Sequence, residues 1–319
     1  VEYRNRFLSI SPQHPMYCGS NPGPLLKEAD VVLVYDTVVP WLPSQHSPRE
    51  DAKIIHMAPD PMYSYVPIRG FPADISLTCA TDLGFRMLAK AMAEHEKGAR
   101  TKIDKRRARI VAMHNELQAR WDGKLKQVME QTPLHPAYIS HCIKQIADDD
   151  TLYVKESQLQ TQYLGIDKPL QVLNAGAASG LGHGMGVALG AKLANRDRLV
   201  IGTEGDGAYM FNVPVSCHYV SAEQELPILT VVFNNQRWQA VRGSTLGVNP
   251  DGYAAKSNRA PLTYFTVDQH YERAVEVSGG YGERVTEPGQ MLPALERAMK
   301  AVQVEKRQAL INVVCSDPT

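Results

Sequence analysis

Two short polar motifs end two apolar runs of the sequence, and both consist of residue types that can bind a metal ion or a phosphate. Gly205-Asp206-Gly207 follows the run Leu199–Ile201, and Asn234-Asn235 closes the run Ile228–Phe233. Between them, Val213–Gln224 fits a helix, so the segment predicts a strand, turn, helix, strand and turn in that order. Such a βαβ unit places both motifs at the carboxyl ends of neighbouring parallel strands, the edge where open α/β sheets bind ligands.

One carboxylate and one amide oxygen, from Asp206 and Asn235, suit a hard divalent cation that keeps water and phosphate oxygens as its other ligands. Magnesium fits this description. The flanking glycines let the backbone approach a phosphate and leave N–H groups facing it. Two other interpretations remain open: Asp206 can simply form the turn before a glycine, and Asn234 can be the amide that points inward.

The two motifs and their spacing resemble those of the thiamine-diphosphate enzymes of the acetolactate synthase, pyruvate decarboxylase and oxalyl-CoA decarboxylase superfamily. The resemblance covers nearly the whole chain. Upstream, Gly180–Ala191 is similar to the glycine-rich helix that precedes the metal-binding turn in that family. Downstream, Ala274–Gly282, Val285 and Ala309–Val314 follow the family's closing helix-and-strand pattern. The resemblance implies an enzyme that binds thiamine diphosphate and Mg²⁺.

The resemblance also implies roles for individual residues. The magnesium ligands are expected to be Asp206, Asn235 and the main-chain carbonyl of Arg237, whose long side chain must then point away. Leu181 matches the bulky apolar residue that supports the cofactor beneath its thiazolium ring and forces its V shape. The other interpretation of Leu181 is an ordinary core leucine. The residues expected to contact the cofactor are Ser179, Gly180, Leu181, Gly205, Asp206, Gly207, Ala208, Asn235, Arg237 and Trp238.

For several further residues both a functional and a structural role are open. His183 can face the substrate as a catalytic group, although a histidine between glycines more often packs or forms a hydrogen bond. Trp238, Gln239 and Arg242 follow the Asn pair where the family builds part of its substrate lid. Arg242 suits a carboxylate or a CoA phosphate, but it equally fits an exposed helix position. Glu156 follows a short predicted strand, Thr151–Lys155, and can look inward from its end or simply act as a cap.

The composition excludes some classes of function. Apolar residues make up 44% of the 319 residues, which is enough for two ordinary domain cores. Lysine plus arginine equals aspartate plus glutamate, at 34 each, so no overall charge favours a nucleic acid or a membrane. Five scattered cysteines without a Cys-x-x-Cys pair indicate reduced thiols in a cytoplasmic protein. No stretch reaches the ~20 apolar residues of a membrane span, and no signal peptide opens the sequence.

The order of predicted elements indicates an α/β protein with two lobes. Residues 1–95 contain two buried strands, Ala29–Tyr35 and Ala52–Met57, and a helix, Asp82–Glu96. By resemblance these residues are part of the family's central domain, a Rossmann-like unit. Residues 132–319 predict a doubly wound parallel sheet, which by resemblance is the domain that binds the diphosphate.

A helical linker is expected between the two lobes, at residues 96–131. Its first part, residues 97–109, is rich in lysine and arginine. Such a run can bind an anion or a nucleotide, or it can be the solvated face of a helix. Residues 110–131 keep a helical pattern with mixed charge, which favours the solvated face.

The resemblance also concerns regions that precede the matching part in family members. These regions are a pyrimidine-binding domain and the first half of the central domain, and the former carries the glutamate that activates the cofactor. No residue here matches that glutamate, so we expect the chain to be inactive without that domain, supplied by the same gene product or by a separate subunit. The family's site lies between subunits, which implies a homo-oligomer.

A bound flavin is not expected in the first lobe. The central domain of the family has a strand that ends in His-Ile-Asp-Ile-Asp-Pro, and here the sequence is His56-Met57-Ala58-Pro59-Asp60-Pro61. Ala58 and Pro59 therefore replace the usual Asp-Ile, and no Gly-x-Arg-Phe follows the first strand. Both departures argue against FAD.

Three functions remain open from the sequence. The first is cleavage or ligation of a carbon–carbon bond of a 2-oxo acid, as in acetolactate synthase, and the segment Asn234-Asn235-Gln236 favours it. The second is an acyl-CoA lyase or decarboxylase of the same superfamily. The third is a cofactor-binding subunit without chemistry of its own, against which the intact metal motif argues.

Overall fold

The structure is a computed structural model, and it describes residues 1–2, 6–174, 180–257 and 260–317. The chain divides into two compact units, which are Val1–Arg6 with His14–Ala119, and Phe7–Gln13 with Arg120–Thr319. Both units have helices and a parallel sheet, which confirms the predicted α/β class. No described helix is long and apolar enough to cross a membrane.

The first unit is built around a three-stranded parallel sheet. Its strands, in sheet order, are β1 (Val31–Tyr35), β2 (Lys53–Ala58) and β3 (Ile75–Thr78), and a short helix, α1 (Gly23–Leu26), precedes them. The first two strands match the predicted ones. The third was not predicted, because all four of its residues are exposed and its sequence has no buried apolar run. The core of this unit contains Leu26, Val34, Trp41, Ala52 and Ile54.

A single helix, α2 (Thr81–Val128), replaces the shorter helix and separate linker that the sequence predicted. The predicted helix end at Glu96 is therefore wrong. The residues after Glu96 are mostly strong helix formers, and Arg100 forms ion pairs four positions away with Glu96 and Asp104. The boundary between the two compact units falls inside this helix.

The basic run on α2 has acidic partners. Arg106 pairs with Asp30 at 3.3 Å, and Arg109 pairs with Glu28. Both pairs are exposed to solvent, where an ion pair contributes roughly 0–1 kcal/mol. These partners support the solvated helix face over an anion site.

The second unit contains a six-stranded sheet in which every strand pair is parallel. In sheet order the strands are β5 (Val172–Asn174), β4 (Leu152–Glu156), β6 (Val200–Gly205), β7 (Leu229–Asn234), β9 (Ala309–Val314) and β8 (Tyr281–Val285). The four central strands match the four strands that the sequence predicted. The edge strands were not predicted, because β5 has three residues and β8 lacks the continuous apolar run of a strand buried on both faces.

Helices cover both faces of this sheet, so it is doubly wound as predicted. One face packs against α3 (Pro136–Ile146) and α10 (Pro288–Gln303). The helices on the other face are α4 (Gly184–Ala194), α5 (Asp206–Phe211), α6 (Pro214–Glu223) and α9 (Glu272–Glu276). Two further helices follow β7, namely α7 (Gln239–Val248) and α8 (Tyr253–Lys256).

The order of the strands creates a switch point between β4 and β6. From β4 the chain continues to β5 on one side, and from β6 it continues to β7 on the opposite side. A crevice forms where such connections diverge, outside the carboxyl ends of the two strands, and it is the usual ligand site of open α/β sheets. Glu156 and Glu204 are register partners there. The Gly-Asp-Gly motif follows immediately, so the topology places it at the switch point.

Candidate functional site

The two polar motifs lie side by side at the carboxyl edge of the sheet. Asp206 follows β6 as the first residue of α5, and Asn235 follows β7 directly. Gly205 and Phe233 are register partners in these two strands, so the turns leave the sheet next to each other. Both polar residues are buried, with Asp206 only 1% exposed. The structure therefore brings together the two residues that the sequence singled out, 29 positions apart.

The Asp206 carboxylate is held by backbone donors from both turns. Its Oδ1 accepts from the Gly207 N–H at 2.8 Å, and its Oδ2 accepts from the Arg237 N–H at 3.3 Å. Burial raises the pKa of Asp206 to about 6, although these backbone hydrogen bonds act in the opposite direction. Among the described residues no basic side chain pairs with this carboxylate, so a bound cation would supply the missing counter-charge.

The side chains of the two consecutive asparagines have different partners. Asn234 donates through Nδ2 to Asn312 Oδ1 at 3.1 Å and accepts from the Gln236 N–H at 3.2 Å, so its amide is engaged at both ends. Asn235 donates through Nδ2 to Asp317 Oδ1 at 3.0 Å. No described group donates to Asn235 Oδ1, which leaves this oxygen able to bind a cation.

The guanidinium of Arg237 contacts Asp317 and Tyr264, and no described contact joins it to the Asp206 carboxylate. Its Nη1 donates to Asp317 at 2.8 Å, and its guanidinium lies 5.2 Å from the ring centre of Tyr264. Its main-chain carbonyl accepts from the Gln239 N–H at 2.9 Å. A carbonyl oxygen has two lone pairs, so one remains for a cation. Asp206, Asn235 and Arg237 thus offer only oxygen atoms, the donor type that Mg²⁺ prefers.

Trp238 packs directly on Gly207. A Cβ atom at Gly207 would lie 2.3 Å from the indole ring, closer than any side chain can come. The indole also meets Phe211 and Phe265 edge to face, at 5.4 and 4.9 Å between ring centres. Glycine is expected at this position because a phosphate approaches the backbone, and Trp238 gives a second reason because its indole leaves no room for a Cβ atom.

Glu156 contacts the loop that precedes α4. Its carboxylate accepts from three consecutive N–H groups, those of Gly182 at 2.6 Å, His183 at 2.9 Å and Gly184 at 2.7 Å. Gly182 has a φ of +86°, and a Cβ there would lie 2.6 Å from the Phe211 backbone. Glu156 therefore does act as a cap. The element that it caps is the start of α4 and not the end of its own strand.

A second carboxyl group lies behind this loop. Glu204, in β6, is fully buried and accepts from Asn212 Nδ2 at 3.1 Å. Burial, together with the neighbouring Glu156, raises the pKa of Glu204 well above its usual range. A Cβ at Gly184 would lie 2.1 Å from Glu204 Oε1, so only glycine fits at the first residue of α4.

Comparison with known proteins identifies the family. The family profile described as "Thiamine pyrophosphate enzyme, C-terminal TPP binding domain" matches residues 156–313. This region begins at Glu156, includes both polar motifs and ends in β9. The chain belongs to the thiamine-diphosphate-dependent enzyme superfamily. It corresponds to the carboxyl-terminal part of these enzymes.

Curated relatives of this chain include a synthase and a lyase. The "Probable acetolactate synthase" of Mycobacterium bovis is 31% identical over 208 residues, which are 64% of this chain and 35% of that protein. The "2-hydroxyacyl-CoA lyase" of Oryza sativa subsp. japonica is 31% identical over 153 residues, which are 46% of this chain and 24% of that protein. The chain therefore spans about a quarter to a third of the length of these two relatives.

Two solved structures share the fold. The thiamine diphosphate-dependent 4-hydroxybenzoylformate decarboxylase of Rhodococcus jostii RHA1 matches with a TM-score of 0.69 and 19% identity, over 100% of this chain and 56% of that one. The benzoylformate decarboxylase of Polynucleobacter necessarius matches with a TM-score of 0.66 and 17% identity, over 99% of this chain and 56% of that one. At these identities the likeness establishes the fold alone.

The loop before α4 carries other residues that the sequence singled out. Leu181 is 49% exposed, so it is not an ordinary core leucine. The Nδ1 atom of His183 lies 3.0 Å from the Gly180 carbonyl and 3.2 Å from Glu156, while its buried Nε2 has no partner among the described residues. Ser179 lies outside the described residues. The glycine-rich helix begins at Gly184 and not at Gly180.

The expected lid residues lie on and just before α7. Gln239 is the first residue of this helix, and its Oε1 is buried without a described partner. Arg242 donates through Nε to the Tyr264 hydroxyl at 3.1 Å and is half-buried. The structure thus places Arg242 on a helix beside an aromatic hydroxyl, and not in the fully exposed position that was one of the two interpretations of the sequence.

Two residues of the site were missed by the sequence analysis, Glu204 and Asn212. A signal existed for Glu204, because a charged residue stands inside the otherwise apolar β6, and buried glutamates are rare unless they are paired. No comparable signal exists for Asn212, since asparagine is common at the end of any short helix.

Proposed function

We propose that this chain supplies the magnesium and diphosphate half of a thiamine-diphosphate site in an enzyme that cleaves or joins a carbon–carbon bond of a 2-oxo acid, like acetolactate synthase. The observation that carries the proposal is the buried Asp206 carboxylate, which lacks a described counter-charge and is tied to the Asn235 turn. The similarity to an acetolactate synthase supports the 2-oxo acid.

The residues present fit the implied groups. Asp206, Asn235 Oδ1 and the Arg237 carbonyl would hold Mg²⁺, which in turn would bind the diphosphate. Gly180, Leu181, Gly205, Gly207, Ala208 and Trp238 would line the cofactor. When bound, thiamine diphosphate supplies a carbon nucleophile for the substrate carbonyl and accepts the electrons of the broken bond. The protein's part is to orient the cofactor, with Leu181 beneath its rings, and to exclude water with Trp238 and the aromatic side chains around it.

We propose in addition that a pyrimidine-binding domain, from the same gene product or a separate subunit, completes the site within a homo-oligomer. The relatives are longer than the matched region, which leaves room for such a domain. We also propose a cytoplasmic location, in line with five free cysteines and no disulfide among the described residues.

A second candidate is a lyase of 2-hydroxyacyl-CoA substrates. It is favoured by the similarity to the rice lyase, whose identity over the shared region equals that of the acetolactate synthase. A CoA substrate needs cationic groups for its phosphates, and Arg242 is a half-buried cation on the expected lid.

The experiment that decides between them is an assay of the complete enzyme with thiamine diphosphate and Mg²⁺. Pyruvate and a 2-hydroxyacyl-CoA would be offered separately. Carbon dioxide and acetolactate would be measured as products of pyruvate, and an aldehyde and formyl-CoA as products of the thioester. Turnover of pyruvate that depends on both added factors supports the first function. Turnover of the thioester alone would replace it with the second, and turnover of neither, with cofactor bound, would favour a non-catalytic subunit.

A further inference from the structure

Glu156 forms an unusual set of contacts for the last residue of a strand. Its carboxylate accepts from the N–H groups of Gly182, His183 and Gly184, and Asn212 Oδ1 accepts from the next one, that of Met185, at 3.0 Å. Two side chains therefore accept the hydrogen bonds of four consecutive backbone N–H groups at the start of α4. Asn212 Nδ2 also reaches Glu156 at 3.5 Å, so the two acceptors are linked to each other.

We propose that Glu156 is a positioning residue for the cofactor: through these hydrogen bonds it sets the backbone that carries Leu181. The proposal rests on the proposed function, because it assigns Leu181 to the space beneath the cofactor's rings. Glu156 itself touches neither the cofactor nor the metal ligands in this account. Its effect passes through the loop from Gly180 to Gly184.

The loop needs such a support because its own packing is sparse. Leu181 is 49% exposed, and no described atom lies within 4 Å of where a Cβ of Gly180 would be. Hydrophobic burial therefore fixes neither residue. The hydrogen bonds to Glu156 begin one residue after Leu181, so they fix the chain immediately beside it.

Glu156 is well placed to transmit the position of the sheet to this loop. It is the last residue of β4, and its backbone is fixed by the ladder with β6, in which it is the register partner of Glu204. Asp206 follows Glu204 by two residues in the same strand and turn. The β4–β6 strand pair thus fixes the positions of both Asp206, the expected metal ligand, and Glu156, whose carboxylate holds the Leu181 loop. A catalytic group misplaced by 1 Å can lose about 100-fold in rate, so this coupling has kinetic weight.

The competing explanation is that Glu156 is only a helix cap. A cap stabilises the fold and has no influence on the cofactor. The chain offers a matched control in Glu287, which forms a capping box with Gln290 at the start of α10. That helix follows β8, the strand at the far edge of the sheet from β5 and β4. The variants Glu156→Gln and Glu287→Gln therefore both alter a cap, but only one alters the proposed site.

The first measurement needs no cofactor and uses the 319-residue chain. Hydrogen–deuterium exchange should become at least about 10-fold faster in the peptide that covers residues 180–186 of Glu156→Gln, because three N–H groups lose a charged acceptor. Glu287→Gln should leave that peptide unchanged and affect only the start of α10. Unchanged exchange at residues 180–186 in Glu156→Gln would overturn the proposal whatever the chain's activity.

The second measurement uses the complete enzyme with thiamine diphosphate and Mg²⁺. Glu156→Gln and Leu181→Ala should each lower kcat by about 10- to 100-fold, change the cofactor's affinity much less, and alter the near-ultraviolet circular dichroism of the bound cofactor. Because both act on one loop, the double variant should be hardly slower than the slower single variant. Glu287→Gln should lower the melting temperature without changing kcat or the dichroism.

Two outcomes of the second measurement would overturn the proposal. If the losses in kcat of the two single variants multiply in the double variant, Glu156 does not act through Leu181. A Glu156→Gln enzyme that melts earlier but keeps its kcat and dichroism would be a simple cap. Failure of the proposed function is a separate result, since it would appear as a wild-type enzyme that binds no thiamine diphosphate. That result would exclude a role of Glu156 in positioning the cofactor. It would not change the hydrogen–deuterium exchange result for residues 180–186.

Discussion

The protonation state of the buried Glu204 carboxyl group affects the stability of the folded chain. It is fully buried in β6, faces Glu156 and accepts a hydrogen bond from Asn212. Its pKa is raised above the ordinary value of 4.5, mainly by burial and next by the Glu156 charge. The folded state therefore holds a proton that the unfolded state releases, so stability is highest below pH 4.5 for this group and is lost as the pH rises through the raised pKa.

We predict that Glu204→Gln removes this loss. Glutamine keeps the shape of a protonated glutamate, can still accept from Asn212 and cannot ionise. Urea unfolding should give a variant within about 1 kcal/mol of the wild type at pH 5 and a variant at least as stable at pH 8. An exposed control, Glu296→Gln, should show no such pH dependence. A Glu204→Gln chain that loses more stability at pH 8 than at pH 5 would contradict the raised pKa.

The contact between Gly207 and Trp238 gives a second prediction at the residue scale. Gly207→Ala would place a Cβ atom 2.3 Å from the indole, so the ring must move. We expect the chain to lose about 1–3 kcal/mol in urea unfolding, as for other overpacked sites. Gly190→Ala in α4 is the control, because its Cβ meets no described atom within 4 Å and alanine favours a helix by about 0.5–1 kcal/mol. Equal stability of the two variants would show that Trp238 is not fixed on Gly207.

At the scale of elements, the sequence was informative where local patterns are strong. Apolar runs followed by polar turns located β6, β7 and both motifs, because a strand buried on both faces is apolar throughout. The edge strands β5 and β8 were not predicted, because a strand at the edge of a sheet needs no continuous apolar run. The full length of α2 was not predicted, because helix-forming residues and ion pairs stabilise this solvated helix, and no apolar stripe marks it in the sequence.

The contacts that shape the site could not be derived from the sequence. Glu156 meets the Gly182–Gly184 loop, and Trp238 meets Gly207, across crossover connections of about thirty residues or fewer. The pairings depend on which strands become neighbours, which follows from the switch point between β4 and β6. Local propensity carries no information on that choice. The same limit left the partner of each consecutive asparagine undecided until the structure placed Asn234 against Asn312.

At the scale of the whole molecule, we expect a chain that folds but does not turn over substrate without a pyrimidine-binding domain. The second unit has a complete six-stranded sheet with a core on both faces, so it should unfold cooperatively. The proposed activating glutamate belongs to the other domain. Adding that domain, as a separate polypeptide or as part of the same polypeptide, should restore reaction of a 2-oxo acid such as pyruvate.

The check on this expectation is a rate assay of the pure 319-residue chain with saturating thiamine diphosphate and Mg²⁺. Circular dichroism and urea unfolding would first establish that the chain is folded. Turnover of pyruvate by this chain alone would contradict the need for a second domain, and would direct attention to Glu156 or Glu204 as the activating acid.

Calorimetry tests whether Asp206 holds the metal and, through it, the diphosphate. Thiamine diphosphate would be titrated into the complete enzyme, with Mg²⁺ and with a chelator, for the wild type, Asp206→Ala and Asp197→Asn. Asp197 is an exposed aspartate just before the amino end of the same strand and serves as the control. We predict Mg²⁺-dependent binding in the wild type and in Asp197→Asn, and an affinity at least about 100-fold weaker in Asp206→Ala, because the diphosphate charge then lacks its metal. Unchanged, Mg²⁺-dependent affinity in Asp206→Ala would contradict the account.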